Sequence, residues 1–360
     1  MSRKTAQQLS WGVVVATYQR EKILPTCLKL AATQTRTPLE IIVVDSSDNW
    51  QTTHDLVMAE LAANHPEIRW VYVAAEQRSS ALQRNQGISL ATADVLFLLD
   101  DDSFMYPDCA EQIMQIYEAD RGSKVQGIQA ALADRSPTAA PLDDVQKVTG
   151  WSNSQIPQSS KLKNWLLKHL FLMNVDVLTI PYNQTFPQHE LPAAVQAFNI
   201  YPVQILHGCR MTFRRAALAV ELFEPLLLYY AMCEDMDLSY RVSRHGALLE
   251  AVEAKLYHFH SGSGRLSRYQ VSALSSLNQA LFLKKNSDNL SRDQRRFYLL
   301  TARRILAEFL KDSLSRRWTL PQMRGLFIAI RYAVPLFALS PQKLETWYPE
   351  LQRRILKSDR

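Results

Sequence analysis

Three consecutive carboxylates, Asp100-Asp101-Asp102, close the apolar run DVLFLL. Like charges at a strand end repel unless water, a cation or a ligand compensates them, so the triplet calls for full solvation or a bound divalent ion. An extended chain alternates its side chains, sending Asp100 and Asp102 to one side and Asp101 to the other. A hard ion such as Mg2+ or Mn2+ takes one or two carboxylates and fills its shell with diphosphate oxygens and water. The competing reading is a solvated acidic turn, because strand-end carboxylates are common in α/β sheets.

Two further constellations lie downstream. In YAMCEDMDLSYRVSRHG, Glu234 and Asp235 precede a helix-like stretch through Arg241. A helix amino terminus favours acidic residues through its dipole, while a carboxylate there also suits proton abstraction from an acceptor hydroxyl, with Asp235 the candidate. Asp237 reads as helix-internal. KLYHFHSGSGR ends a strand-like run in His258 and His260, and residues two apart on a strand face the same way, so one or both imidazoles can approach an ion.

Those side chains need a scaffold that gathers strand ends. WGVVVAT (Trp11 to Thr17), EIIVVD ending at Asp45, RWVYVA from Arg69 and DVLFLLD ending at Asp100 read as short buried strands. The stretches between them, such as ILPTCLKLAATQ and TTHDLVMAELAAN, have helical composition. That alternation predicts βαβ units, whose ligands bind beyond the carboxyl ends of the strands, so Thr17, Tyr18, Arg20, Asp45 and Asp100 should share one rim. A helix is predicted near Pro107 to Arg121 and a strand around Lys124 to Ala133. A polar loop should follow from Asp134 to Ser160, then an amphipathic helix from Leu162 to Val175 with Trp165, Leu166, Leu170 and Met173 on neighbouring faces.

Composition bounds the class. With 47% apolar residues and only 10 glycines, the 360-residue chain is globular rather than disordered or collagen-like. Cys27, Cys109, Cys209 and Cys233 are far apart without CxxC spacing, which suits a reducing compartment and argues against a zinc or disulfide framework. The polar start MSRKTAQQLS leaves no room for a secretory signal, and no apolar run reaches the ~18 residues of a spanning helix. The expectation is a cytoplasmic chain. The net charge of +6 sits in the tail: residues 291–360 hold 15 Lys+Arg against 6 Asp+Glu, while the first 290 hold 26 against 29. The tail reads as a basic helical appendage, giving a domain of residues 1–290 and a carboxyl-terminal region of 291–360. Around Arg331 and Pro335, GLFIAIRYAVPLFAL is apolar enough to add peripheral contact with an anionic membrane to the simpler reading of packing.

The ordered motifs VVVATYQR, EIIVVDSSD, QRNQGISLATADVLFLLDDDS, HGCRMTFRRAAL, EDMDLSYRVSRHG and HFHSGSGR, from about Gly12 to Arg265, resemble the inverting glycosyltransferases of family 2. The resemblance implies the GT-A fold: an α/β domain with a mostly parallel nucleotide-binding sheet flanked by helices, here with a helical appendage. It implies that Thr17, Tyr18 and Arg20 line the nucleotide pocket, Asp45 bonds the base, Arg84 and Asn85 sit beside the donor, and Asp100 contacts ribose or sugar. It further implies that Asp102 and His258 hold a divalent Mn or Mg ion and that Asp235 is the general base. Asp101, Arg210, Glu234 and His260 are candidates for acceptor contacts or for steadying the ligands. The implied partners are a nucleotide sugar and a glycan or lipid-linked acceptor in a pathway of bacterial polysaccharide type, with no nucleic acid expected.

Two departures bear on substrate rather than reaction class: Arg210 stands where the family often has Asn, and Gln19 stands where Asn usually precedes the Arg. Inverting transfer needs a cation for the departing diphosphate and a base on the opposite face, and this inventory supplies both. A metal-dependent phosphotransferase would want a nucleophilic Asp on the first strand, which here ends in Thr17. A pyrophosphorylase would want a Gly-rich loop, absent from VVVATYQREK. A sugar-nucleotide-binding protein without turnover is the remaining alternative.

Overall fold

A computed structural model describes residues 8–138, 187, 189–229, 231–259, 266–316 and 318–358. Strands β1 (Trp11–Thr17), β2 (Glu40–Asp45), β3 (Arg69–Ala74) and β4 (Val95–Asp100) coincide with the apolar runs; helices α1 (Leu24–Ala32), α2 (Trp50–Glu60) and α3 (Ser80–Leu90) connect them. β1 and β2 are buried almost throughout, as continuous apolar runs in a parallel sheet require. Alternation divides the faces of β1: Val13 and Val15 join the core cluster containing Leu24 and Leu28 of α1. Val14 instead faces α3, where only a glycine fits, since a Cβ on Gly87 would lie 2.3 Å from Val14 Cγ1. The parallel register sets Thr17 opposite Asp45 and Ala16 opposite Asp100. Three strand ends therefore finish within one residue of each other.

The chain continues through β5 (Ser103–Met105), α4 (Cys109–Ala119), β6 (Val125–Leu132), β7 (Ile200–Pro202), β8 (Met211–Arg214), α5 (Glu234–Ser243) and β9 (Ala247–His258). Across the described sheet the order is β3-β2-β1-β4-β8-β6-β9-β5, with β7 also on β9. The first four strands are all parallel. Beyond β4 the sheet is mixed, because β8 runs antiparallel to both β4 and β6 while β9 runs parallel to β6. Antiparallel pairing of β5 with β9 sets Ser103 opposite His258, and the Phe259 amide donates to the Asp102 carbonyl at 2.9 Å. That pairing brings two motifs 156 residues apart into contact.

The described residues of 226–233 and from 266 onward form a second compact unit. It contains α6 (Arg268–Asn286), α7 (Leu290–Leu314), α8 (Pro321–Ala338) and α9 (Pro341–Lys357). The boundary thus falls before α6 rather than near residue 291. The physical reason is close packing of α6 on α8: a Cβ on Gly325 would lie 2.4 Å from the Tyr269 carbonyl oxygen. The expected polar loop is described only as far as Thr138, and the helix expected over 162–175 lies outside the described residues. Among the described residues, no helix is long and apolar enough to cross a membrane.

Candidate active site

β4 ends at Asp100, and the chain turns at once into β5 with the three carboxylates splayed as alternation predicts. Asp100, Asp102 and His258 each offer a ligand atom, all within 4.8 Å of one another. His258 Nε2 lies 2.9 Å from Asp102 Oδ1 and 3.9 Å from Asp100 Oδ2. Burial alone would lower the His258 imidazole, but adjacent Cys209 and Asp102 outweigh it and hold the ring up at about 11. Two carboxylates and one imidazole form a donor set suited to Mn2+ or Mg2+. Asp100, expected at ribose or sugar, therefore also belongs to this cluster. Asp101 points the other way: Thr17 Oγ1 donates to its Oδ2 at 2.7 Å, and Arg20 Nε lies 3.9 Å from its Oδ1. Burial, and then the charge of Asp102, push Asp101 up to about 8 against the pull of Arg20 and Thr17.

Arg84 ties this cluster to the second acidic motif. It projects from α3, whose first turn is capped by Ser79 accepting from the Leu82 amide. Its side chain is only 3% exposed. Nη2 donates to Asp100 Oδ1 at 2.6 Å and Nη1 to Glu234 Oε1 at 2.9 Å. The guanidinium also lies 5.5 Å from the Phe223 ring centre, a cation–π distance. Burial and neighbouring Asp235 push Glu234 up to about 8, opposed by Arg84.

Glu234 and Asp235 open α5, where the helix dipole favours negative charge. Asp235 Oδ1 accepts from the Met236 amide at 2.8 Å, and Oδ2 accepts from the Gly208 amide at 3.2 Å. Both carboxylate oxygens are thereby oriented by main chain. The preceding residue, Cys233, has a left-handed φ of 72°, a conformation that costs a non-glycine residue roughly 1 kcal/mol or more.

On the β1–β2 side of the rim, Asp45 is buried and doubly held. Its Oδ1 accepts from the Ser47 amide at 2.8 Å and its Oδ2 from Tyr72 Oη at 2.6 Å. Burial, and then the Asp45 contact, push the Tyr72 phenol well above its ordinary range, keeping it a donor. Gln19 has φ 53°, a left-handed geometry that Asn tolerates better than most residues. Its amide donates to Ser47 Oγ at 2.7 Å. The exposed guanidinium of Arg78 stacks 3.4 Å over the Tyr18 ring centre.

Several of the expected site residues already have protein partners. The Thr17 hydroxyl is committed to Asp101. Asn85 engages a backbone segment: its Nδ2 donates to the Phe223 carbonyl and its Oδ1 accepts from the Phe223 amide, both at 2.9 Å. An amide side chain matches a backbone segment in this way, so Asn85 fixes the 223 region. Arg210 is buried, donating to the Ala130 carbonyl and pairing with Glu250 at 2.8 Å. His260 lies outside the described residues. Sequence reasoning missed Tyr72, Arg78, Gln83 and Cys209. Gln83 Nε2 donates to the carbonyls of Thr17 and Val44, both at 2.9 Å, pinning two strand ends. Arg78 was detectable as a basic residue in the loop entering α3. The others become visible only through strand register.

A parallel half-sheet joined to a mixed half-sheet, with an acidic–histidine cluster where they meet, defines a GT-A-type domain. Residues 12–169 match the family model described as Glycosyl transferase family 2. It is 30% identical over 104 residues to the "Uncharacterized glycosyltransferase YibD" of Escherichia coli strain K12, covering 29% of each chain. It is 25% identical over 109 residues to an Escherichia coli chondroitin synthase, covering 30% of this chain and 15% of the relative. The matches thus span under a third of either relative's length. Among solved structures, GalNAc-T7 with UDP, GalNAc and Mn2+ superposes with a TM-score of 0.51 at 15% identity, covering 80% of this chain and 50% of that one. This likeness concerns the fold.

Proposed function

We propose that the chain transfers a sugar from a nucleotide-sugar donor to a hydroxyl acceptor with inversion at the anomeric carbon. The observation that carries this reading is Arg84 linking Asp100 of the Asp100–Asp102–His258 cluster to Glu234, immediately before Asp235, at the carboxyl edge of the parallel strands. Tyr18, Arg20 and Asp45 receive the nucleotide, with Asp45 accepting a hydrogen bond from the base. Asp102 and His258 hold a divalent ion together with Asp100; when bound, that ion stabilises negative charge on the diphosphate. Holding a cation requires His258 to give up its proton, so metal uptake should release protons.

In the transfer itself, an acceptor oxygen forms the new bond to the anomeric carbon while the bond to the diphosphate oxygen breaks. The bonding pair leaves with the nucleotide, and the hydroxyl proton passes to the Asp235 carboxylate. The hydrogen bonds from Gly208 and Met236 preorganise Asp235 for this role. Glu234, largely protonated at neutral pH and hydrogen-bonded to Arg84, steadies the helix start without competing for the proton. The acceptor is a glycan or lipid-linked sugar, in polysaccharide assembly at the cytoplasmic face of the membrane, with the basic carboxyl-terminal helices making a peripheral contact.

Titration calorimetry with UDP-, GDP- and dTDP-sugars, with and without Mn2+, tests the reading. One donor class should bind in a Mn2+-dependent way that Asp102→Asn abolishes. Unchanged Mn2+-dependent binding in that variant would remove the metal assignment. Donor binding without sugar release or transfer to any acceptor would favour a binding protein.

A further inference from the structure

The carboxyl-terminal helices carry a surface that the proposed sugar transfer does not use. On α7 all three acidic residues, Asp293, Glu308 and Asp312, are buried, while Arg295 and Arg303 are exposed. A helix solvated on its outer face would ordinarily turn its acids outward. Here the outer face carries Leu299, Leu306, Leu310 and Leu314, spaced seven, four and four residues apart and so on one side of the helix. Leu306 is 55% exposed and Leu314 86%. Trp318, in the short connection to α8, is 74% exposed. α8 contains no acidic residue, and its exposed Arg324, Phe327, Arg331 and Val334 recur at helical spacing.

Single exposed apolar residues are ordinary, but a leucine stripe on helices whose exposed charged residues are all arginines is not. Water satisfies the arginines and penalises the leucines. A nucleic acid would satisfy the arginines and offer little to the leucines. An anionic bilayer satisfies both, with headgroup phosphates for the guanidinium groups and acyl chains for the apolar side chains. We propose that the outer faces of α7 and α8, with Trp318 between them, form a docking surface for an anionic lipid bilayer. This rests on the peripheral membrane contact proposed above and assigns it to named side chains.

The test is co-sedimentation of the full chain with phosphatidylcholine vesicles and with vesicles of phosphatidylcholine and phosphatidylglycerol. Binding is expected to the anionic vesicles only and to weaken as salt rises. The variant Leu306→Gln/Leu310→Gln, and separately Arg295→Gln/Arg303→Gln, should each lower the partition coefficient by about tenfold or more. Unchanged thermal melts of both variants establish that the fold is kept, as exposed positions permit. Failure of the wild-type chain to bind anionic vesicles overturns both the membrane contact and this surface. Wild-type binding that both variants retain overturns this surface and leaves the contact to another part of the chain. Light scattering that shows a dimer, converted to monomer by the leucine variant, assigns the face to a second copy and overturns the proposal.

Discussion

Replacing Arg84 with methionine would remove a side chain that links Asp100 to Glu234. The guanidinium makes ion pairs at 2.6 and 2.9 Å to two carboxylates and is almost wholly buried. Truncating one partner of such a buried arrangement typically costs about 3–5 kcal/mol, because the stranded charge stays desolvated. The two carboxylates differ in how they escape that cost. The Asp100 side chain is 35% exposed and can recruit water, whereas that of Glu234 is 12% exposed and cannot. Glu234 sits at about 8 even beside Arg84, so it is largely protonated at neutral pH and stays so when the cation is lost. The expected loss at pH 7 is therefore near the lower bound, about 3 kcal/mol, and greater at pH 9, where remaining neutral becomes unfavourable. Arg84→Lys should recover part of the loss, since an ammonium can face one carboxylate but not bridge two as a planar fork does. Adding Glu234→Gln to Arg84→Met should restore at least ~1 kcal/mol at pH 9, by removing the stranded charge while keeping its shape. Urea unfolding at pH 7 and pH 9, followed by circular dichroism, measures all four proteins. If Arg84→Met lies within ~1 kcal/mol of wild type at both pH values, the bridge is not the electrostatic link assigned to it.

Three further outcomes are expected. Asp101 and Glu234 are each raised to about 8 and His258 to about 11, so the folded state binds more protons than the unfolded one from the carboxylate range upward. The metal-free protein should then lose stability as pH rises from about 4.5 to 9, and a melting temperature that climbs across that range contradicts the assignments. Asp235→Asn should bind donor as tightly as wild type but transfer sugar at least ~100-fold more slowly, consistent with loss of a general base; retained transfer in a quench-flow or product assay would move the base elsewhere. Gly87→Ala should destabilise by about 1–3 kcal/mol even though alanine is the better helix former, because its Cβ would meet Val14 Cγ1 at 2.3 Å. Gly122→Ala, whose nearest contact would be an ordinary 3.7 Å, provides the control, and equal effects at both positions would argue against the α3–β1 packing.

The sequence by itself determined the first half of the sheet and the chemistry of its rim. Runs such as GVVVAT and EIIVVD are short, β-branched and apolar on both faces, and only a covered parallel sheet accommodates them; Asp45 and Asp100 follow as strand ends. The opposite directions of Asp101 and Asp102 were also legible, since alternation is local geometry. Tertiary structure alone decided which distant groups meet. The antiparallel pairing of β5 with β9 set His258 against Asp102, and the reach of Arg84 from α3 joined Asp100 to Glu234, which lies 150 residues from Arg84 in sequence. It also decided that Asn85 and Arg210 face structural partners, though their polarity alone suited them equally to a ligand. The physical reason is common to these cases. Strand type and side-chain alternation follow from torsions and burial over a few residues, whereas a polar side chain's partner depends on sheet register and helix placement, which are set by packing over the whole domain.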